Sequence, residues 1–245
     1  MTRIVDATLV TPWRALLPRT TAIALVLQWA SAFVLADPVP WPTGTVAAQL
    51  ADRTVILANV PAPKLMIPGK YDALAAAIAG PIGVGAAIGV EHAAGSPVHP
   101  SQGLFTDPSP KIGAELLPLL AGKYHLRVVS SDAAAPPRAN AKALIKAYQN
   151  ADLVVSVGTL NWGLLLAPFT IQRFRPAYVT IVQLVDVHAG KLVAQGKCQR
   201  GFEMNGKDAQ PYDTFTSDGG QKLSDALNAL GDLCLQEITA PLAAP

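Results

Sequence analysis

The stretch Ala151–Gly201 constrains this chain more than any other. It opens ADLVVSVGTLNW and closes AYVTIVQLVDVHAGKLVAQGKCQRG. Leu153–Val157 is an apolar run rich in β-branched residues and reads as a buried strand ended by Gly158. Tyr178–Val187 and Lys191–Phe202 flank His188-Ala189-Gly190, where Gly190 can supply the positive φ of a short hairpin loop. A chain carrying a buried strand and a long hairpin must cover them, so the remaining segments are read as cover.

Upstream, Arg53–Val60 (RTVILANV) predicts a short strand stopped by Pro61 and Pro63. The proline-rich Asp37–Thr45 predicts an extended lead-in. Ser109 followed by Pro110 predicts a helix start, with Ile112, Leu116, Leu119 and Leu120 as its apolar stripe, Pro118 as a kink and Gly122 as its end. Tyr124–Ser130 then predicts a strand, and Ala139–Asn150 a helix that feeds Ala151. Glu203–Asp218 reads as a polar surface loop. Gln221–Ile238 predicts the last helix, with Leu223, Leu227, Leu230, Cys234 and Ile238 on one face. The resulting fold class is α/β: a mixed sheet of about five strands with a terminal β-hairpin, covered by helices.

The chain start is set apart from this fold. Arg14 and Arg19 precede the apolar run Ala22–Ala36, and Val34-Leu35-Ala36, or Ala30-Ser31-Ala32, suits a small-residue cleavage site. Residues 1–36 are read as a signal peptide and 37–245 as a single domain, which places the mature protein in the periplasm or outside the cell. Neither cleavage site has a cysteine beside it, so no lipid anchor is expected. The leader takes three of nineteen basic and one of seventeen acidic residues, leaving sixteen of each. A neutral chain without a Lys/Arg run lacks the field that nucleic-acid binding requires. The two cysteines, Cys198 and Cys234, both survive processing. In a period-2 strand Cys198 shares a face with Leu192, Ala194, Gly196 and Phe202, and Cys234 lies on the apolar stripe of the last helix. Both aim inward from elements expected to pack together, which predicts a disulfide.

Two segments are candidates for contact with other molecules. Ala73–Val90 carries no charge over 18 residues and consists mostly of Ala and Gly. It predicts a helical insertion near 72–94, in which Gly85 and Gly89 allow close helix packing. That insertion either packs on its own domain or serves an oligomer or membrane contact. Thr159–Pro176 is unusually apolar for a connection, with Trp162, Leu165, Phe169 and Phe174 beside Arg173 and Arg175. It is either an extra strand closing the core or a partner surface, and substitution of Trp162 or Phe169 in such a surface is expected to spare the fold.

No nucleophile elbow, zinc-protease helix or paired-cysteine motif is present in the sequence. Glu91, His92 and His99 lie close together, but their loop spacing is not that of convergent metal ligands, and no metal or cofactor is expected. Asp152 is expected to brace the helix-to-strand junction and Asp186 the hairpin turn.

The succession Ala151-Asp152-Leu153-Val154-Val155, Val157-Gly158-Thr159, Val182-Gln183-Leu184-Val185-Asp186 and Gly190-Lys191-Leu192-Val193 resembles a bacterial envelope pattern. It is similar to the curli-secretion lipoprotein family, the lipoprotein activators of peptidoglycan synthases and the amino-terminal domain of the Tol-system translocation protein. The likeness covers roughly Leu104–Phe202. It implies an exported, non-catalytic domain that binds other envelope proteins or assembles into a homo-oligomer. The absent anchor cysteine, the Gly/Ala-rich segment and the cysteine pair depart from that pattern. Two other functions keep a foothold in the sequence: a membrane-inserting or oligomer-forming protein using 73–90, and, more weakly, a metal-dependent hydrolase using Glu91, His92 and His99.

Overall fold

The structure is a computed structural model, and residues 38–67, 105–131, 133–137, 140–167, 170, 173–202 and 208–243 are described. The expected signal peptide and the Gly/Ala-rich helical insertion with Gly85 and Gly89 lie outside the described residues, as do Glu91, His92 and His99.

The elements run α1 Gly44–Ala48, β1 Thr54–Asn59, α2 Ser109–Tyr124, β2 Arg127–Val128, α3 Ala141–Ala147, β3 Leu153–Leu166, β4 Arg173–Asp186, β5 Lys191–Arg200, β6 Gln210–Pro211, α4 Tyr212–Thr216 and α5 Gln221–Ala243. They form an α/β fold around one mixed sheet of order β2-β1-β3-β4-β5, with the short β6 pairing the start of β4. β2, β1 and β3 are parallel, and β3, β4 and β5 form an antiparallel meander. The sixth strand, β6, and the helix α4 fall inside the segment expected to be a polar loop; Tyr212 and Phe215 bury there.

One face of the sheet carries Val55, Leu153, Val155, Val157, Val182 and Leu184 and packs against α2 and α5. The other carries Ile56, Ala58, Val154 and Val185 and packs against Leu144 and Tyr148, from α3 and the residue that ends it. With both faces covered, the central strands read as continuous apolar runs.

β3 does not end at Gly158. It pairs with β4 from Leu153↔Asp186 to Leu166↔Phe174, leaving only 167–172 as a connection. The expected extra strand closing the core is thus the continuation of β3 with the start of β4, and a bulge between Thr159 and Asn161 explains the apparent end at Gly158. Without it, strict alternation from Val157 and Thr159 would turn Trp162 and Leu164 away from the helices. The extra residue Leu160, 38% exposed, resets the phase, and Trp162, Leu164 and Leu166 return to the main core. A second bulge between Leu184 and Val185 does the same in β5. It sends Leu192 to the smaller cluster and Val193 to the larger, rather than leaving Leu192 on the Cys198 face.

Helix boundaries also shift. α2 runs through Gly122 to Tyr124, and His125 ends it in the left-handed conformation (φ 54°), which shortens the following strand to two residues. The residue holding the start of α2 is Asp107, whose carboxylate accepts from the backbone N–H and hydroxyl of Ser109. α3 is shorter than expected because Asn140 caps it, accepting from the Ala143 N–H at 2.8 Å.

α5 lies across the core face of β4 and β5, with Leu223, Leu227, Cys234, Ile238 and Leu242 buried. Gly196 of β5 leaves room for it: a methyl group there would stand 3.5 Å from Ile238. α5 runs parallel to α2, as Pro108 meets Gly231, Lys111 pairs with Asp232, and Lys123 Nζ donates to the Leu242 carbonyl. Cys198 and Cys234 are joined by a disulfide with Cα atoms 5.3 Å apart, both fully buried. The bridge closes a separation of 36 residues, so replacing both cysteines with alanine is expected to lower unfolding stability by about 2–4 kcal/mol. Denaturant titration of the two forms measures this; equal midpoints would show that the bridge adds no stability.

Candidate functional site

Three regions concentrate polar or surface chemistry. The first is the distal half of the β3–β4 hairpin, where the expected partner surface falls. Trp162 is only 6% exposed, and its indole Nε1 donates to the Pro63 carbonyl at 2.8 Å. Phe174 is fully buried and meets Tyr212 edge-on, with ring centroids 5.4 Å apart. Arg175 is buried, Leu165 is half-buried, and Phe169 lies outside the described residues. Arg173 is exposed and donates from Nη1 to the Ala209 carbonyl at 3.2 Å.

Trp162 and Phe174 therefore serve the core of their own chain. The reason is the close approach of the chain beyond β1: Met66 bridges Gly163, with N–H···O bonds Met66 to Trp162 and Leu164 to Met66 at 3.0 and 2.8 Å. Gly163 has φ 144°, and a Cβ there would collide with the Met66 carbonyl, so only glycine admits this crossing.

The second region lies where β1 and β3 begin and β4 ends. Thr54 and Asp152 bind reciprocally: the Thr54 N–H and hydroxyl donate to Asp152 Oδ2 at 2.7 and 2.6 Å, and the Asp152 N–H donates to Thr54 Oγ1 at 3.1 Å. Arg53 Nη1 donates to Asp186 Oδ2 at 2.7 Å, and Nη2 to the Asp152 carbonyl at 3.1 Å. The other Asp186 oxygen accepts from the Ala189 N–H at 2.8 Å, which braces the hairpin turn as expected. His188 Nε2 lies 3.2 Å from Asp152. The bonds from Thr54 hold the Asp152 carboxyl below its ordinary value, and the Arg53 guanidinium does the same for Asp186. Carboxylates held this way clamp three strands together.

The third region is buried between α2 and the sheet. Asp107 accepts from the hydroxyls of Ser109 and Thr159, and Thr159 Oγ1 lies 3.1 Å from the Tyr178 hydroxyl. Burial pushes the Tyr178 phenol up to about 12, so it stays protonated. Thr180, fully buried, donates to the Gly158 carbonyl. This network fixes the start of α2 over the bulge of β3.

The two edges of the sheet differ. Along β5 runs the lead-in, where the Val39 carbonyl accepts from the Gln195 N–H at 2.8 Å, with Pro38 and Pro40 on either side. Along β2 every residue from Arg127 to Ser131 is exposed, Val128 by 51% and Val129 by 37%. The sequence marked 124–130 as a strand, but nothing local showed that it would stand at an edge. Among the described residues, no cluster of three metal-ligating side chains is found, and no helix is long and apolar enough to cross a membrane.

Among the described residues, fold and surface define an α/β domain with a mixed sheet covered on both faces, a buried disulfide and an exposed β2 edge. No protein-family model matches the chain, and no curated protein matches it in sequence. Among solved structures it is similar to a PelC dodecamer from Paraburkholderia phytofirmans (13% identity, 85% of this chain and 97% of that chain, TM-score 0.37). It is also similar to a hypothetical protein from Chlamydia trachomatis (11%, 80% and 100%, 0.37). A lipoprotein from Neisseria meningitidis matches at 14% identity over 74% of this chain and 99% of that chain, with TM-score 0.24. At TM-scores below 0.5 these likenesses carry no argument about activity.

Two outcomes follow from the geometry. Trp162→Ala is expected to destabilise the fold by about 3–5 kcal/mol, as for a buried aromatic, contrary to the sparing effect expected of a surface; the unfolding midpoint measures it, and an unchanged midpoint would return Trp162 to the surface reading. Asp152 and Asp186 have folded values depressed below 3.8, so their contribution is fully present above that value and is lost as pH falls through the folded values. Asp186→Asn should therefore flatten the fall of stability with acid below about pH 5. Parallel acid titrations of urea midpoints would refute the clamp if both proteins fell equally.

Proposed function

We propose that this is an exported, non-catalytic domain of the bacterial cell envelope that acts through contacts with other proteins in assembly or regulation. The observation that carries the export reading is the Cys198–Cys234 disulfide, sealed between α5 and β5 with neither sulfur exposed. Such structural bridges form and persist in oxidising compartments. The apolar run Ala22–Ala36 behind Arg14 and Arg19 agrees with passage across a membrane. The envelope pattern of Ala151–Val193 points the same way.

A contact role is supported by how the polar groups are spent and by what is left open. The two clusters, Arg53–Thr54–Asp152–Asp186 and Asp107–Ser109–Thr159–Tyr178, hold elements in place. Among the described residues, the edge at 127–131 is exposed along its whole length. Envelope fractionation with in vivo cross-linking tests the reading. The expected result is recovery from the periplasmic or secreted fraction with no alkylatable thiol, together with a cross-linked envelope protein. Cytoplasmic recovery with two free thiols would reject export, and an exported chain that cross-links to nothing would reject the contact role.

A further inference from the structure

We infer that the sheet face opposite α2 and α5 is the seat of the Gly/Ala-rich segment Ala73–Val90 of the same chain, laid along β4 between Arg175 and Gln183. Alternation along β4 sends Tyr178 and Val182 to the main core, and Arg175, Ala177, Val179, Ile181 and Gln183 to the opposite face. These five residues are each no more than 7% exposed. Their register partners on β3 include Ser156, Gly158 and Gly163, which are too small to lean over them. Among the described elements, α3 packs on this face, and its cluster takes in Val185 but no residue of the strip. Some other part of the molecule therefore shields a strip that runs about 27 Å along β4. The strip also has polar needs. Ser156 Oγ and Gln183 Oε1 are buried on this face without a hydrogen-bond partner, although Gln183 Nε2 donates to Gln195 Oε1 at 3.0 Å. Buried groups of this kind are costly unless an N–H or C=O reaches them, so the cover is one that brings its backbone close.

Chain path, length and composition name the occupant. The described chain stops after Ile67, next to Met66 on Gly163, and resumes at Phe105, close before Asp107, which accepts from the Thr159 hydroxyl. Both anchor points lie on the distal half of β3, beside the strip. The other face of the sheet is taken by α2 and α5, which leaves this one for 68–104. Within 37–245, every other stretch outside the described residues is five residues or fewer, too short to cover the strip. Ala73–Val90 has 18 residues and no charge. Wound as the helix its sequence predicts, it spans about 27 Å, the length of the strip. Its Gly and Ala residues permit close approach, and Pro81 interrupts its internal hydrogen bonding, so backbone groups can turn to Ser156 and Gln183. The seat assigns this segment to its own domain and takes it away from membrane or oligomer contact. It does not rest on the contact role proposed above.

Lys197 pairs with Ile181 on this face and anchors the test. The purified disulfide-bonded chain is treated with a short amine-reactive diazirine probe, irradiated and digested. Mass spectrometry is expected to find Lys197 joined within one chain to residues of 73–90. In a second measurement, the thiol of Ile181→Cys is expected to react with a maleimide about tenfold or more slowly than in the same variant with 73–90 replaced by a Gly/Ser linker of equal length. A Lys197 link to residues 1–36 or to a second copy, no link to 73–90, or a thiol that reacts at the same rate in both chains would overturn the seat. The probe needs no substitution, so its result decides the matter even where the linker chain does not fold.

Discussion

The structure depends on the antiparallel pairing of β3 with β4, each fourteen residues long and paired from Leu153↔Asp186 to Leu166↔Phe174. This ladder supplies both faces on which the domain is built. Its proximal half carries the parallel strands β1 and β2 on one side, and the distal half receives the chain beyond β1 at Met66. β4 carries β5 and then β6 on its other side. Each strand pairs the other along its length; on their outer sides β3 meets β1 over Leu153–Val157 and Met66 at Gly163, and β4 meets β5 over Tyr178–Asp186 and β6 at Arg173 and Phe174.

The polar residues make sense against that ladder. At one end, Arg53, Thr54, Asp152 and Asp186 join the starts of β1 and β3 to the end of β4. Further along, Asp107, Thr159 and Tyr178 tie the start of α2 to the two central strands beside the bulge. The disulfide fastens α5 to β5, the strand that closes the ladder on its far side. Each fastening lies where elements distant in sequence meet. An unpaired polar group in such a place would be costly, and a paired one resists slippage of register.

Much of this was legible locally. The strand character of 153–157, the hairpin turn at 188–190, the inward stripe of the last helix and the bracing role of Asp186 all follow from period, turn chemistry and side-chain type. The cysteine pair was legible because two independent periodicities aimed both residues inward. The distal hairpin left two readings open, an extra strand closing the core or a partner surface, and the first holds for the described residues. The bulge at Leu160 breaks a period of two, so Trp162, Leu164 and Leu166 looked out of phase with Val155 and Val157. Apolar residues in a broken pattern resemble a surface patch. Likewise the end of α2 extended two residues beyond Gly122, because His125 could take the left-handed cap.

The sequence alone determined the class of fold, the inward faces of the main elements and the capacity of the two cysteines to meet, since these depend on residue type at fixed spacing along one element. Only the tertiary structure decided which apolar residues remain outside. Trp162 is buried because Pro63 and Met66 cross beside it, and Val128 is exposed because, among the described residues, β2 is the last strand on its side of the sheet. Both outcomes depend on neighbours more than seventy residues away in sequence or on the absence of one, and periodicity carries no record of either.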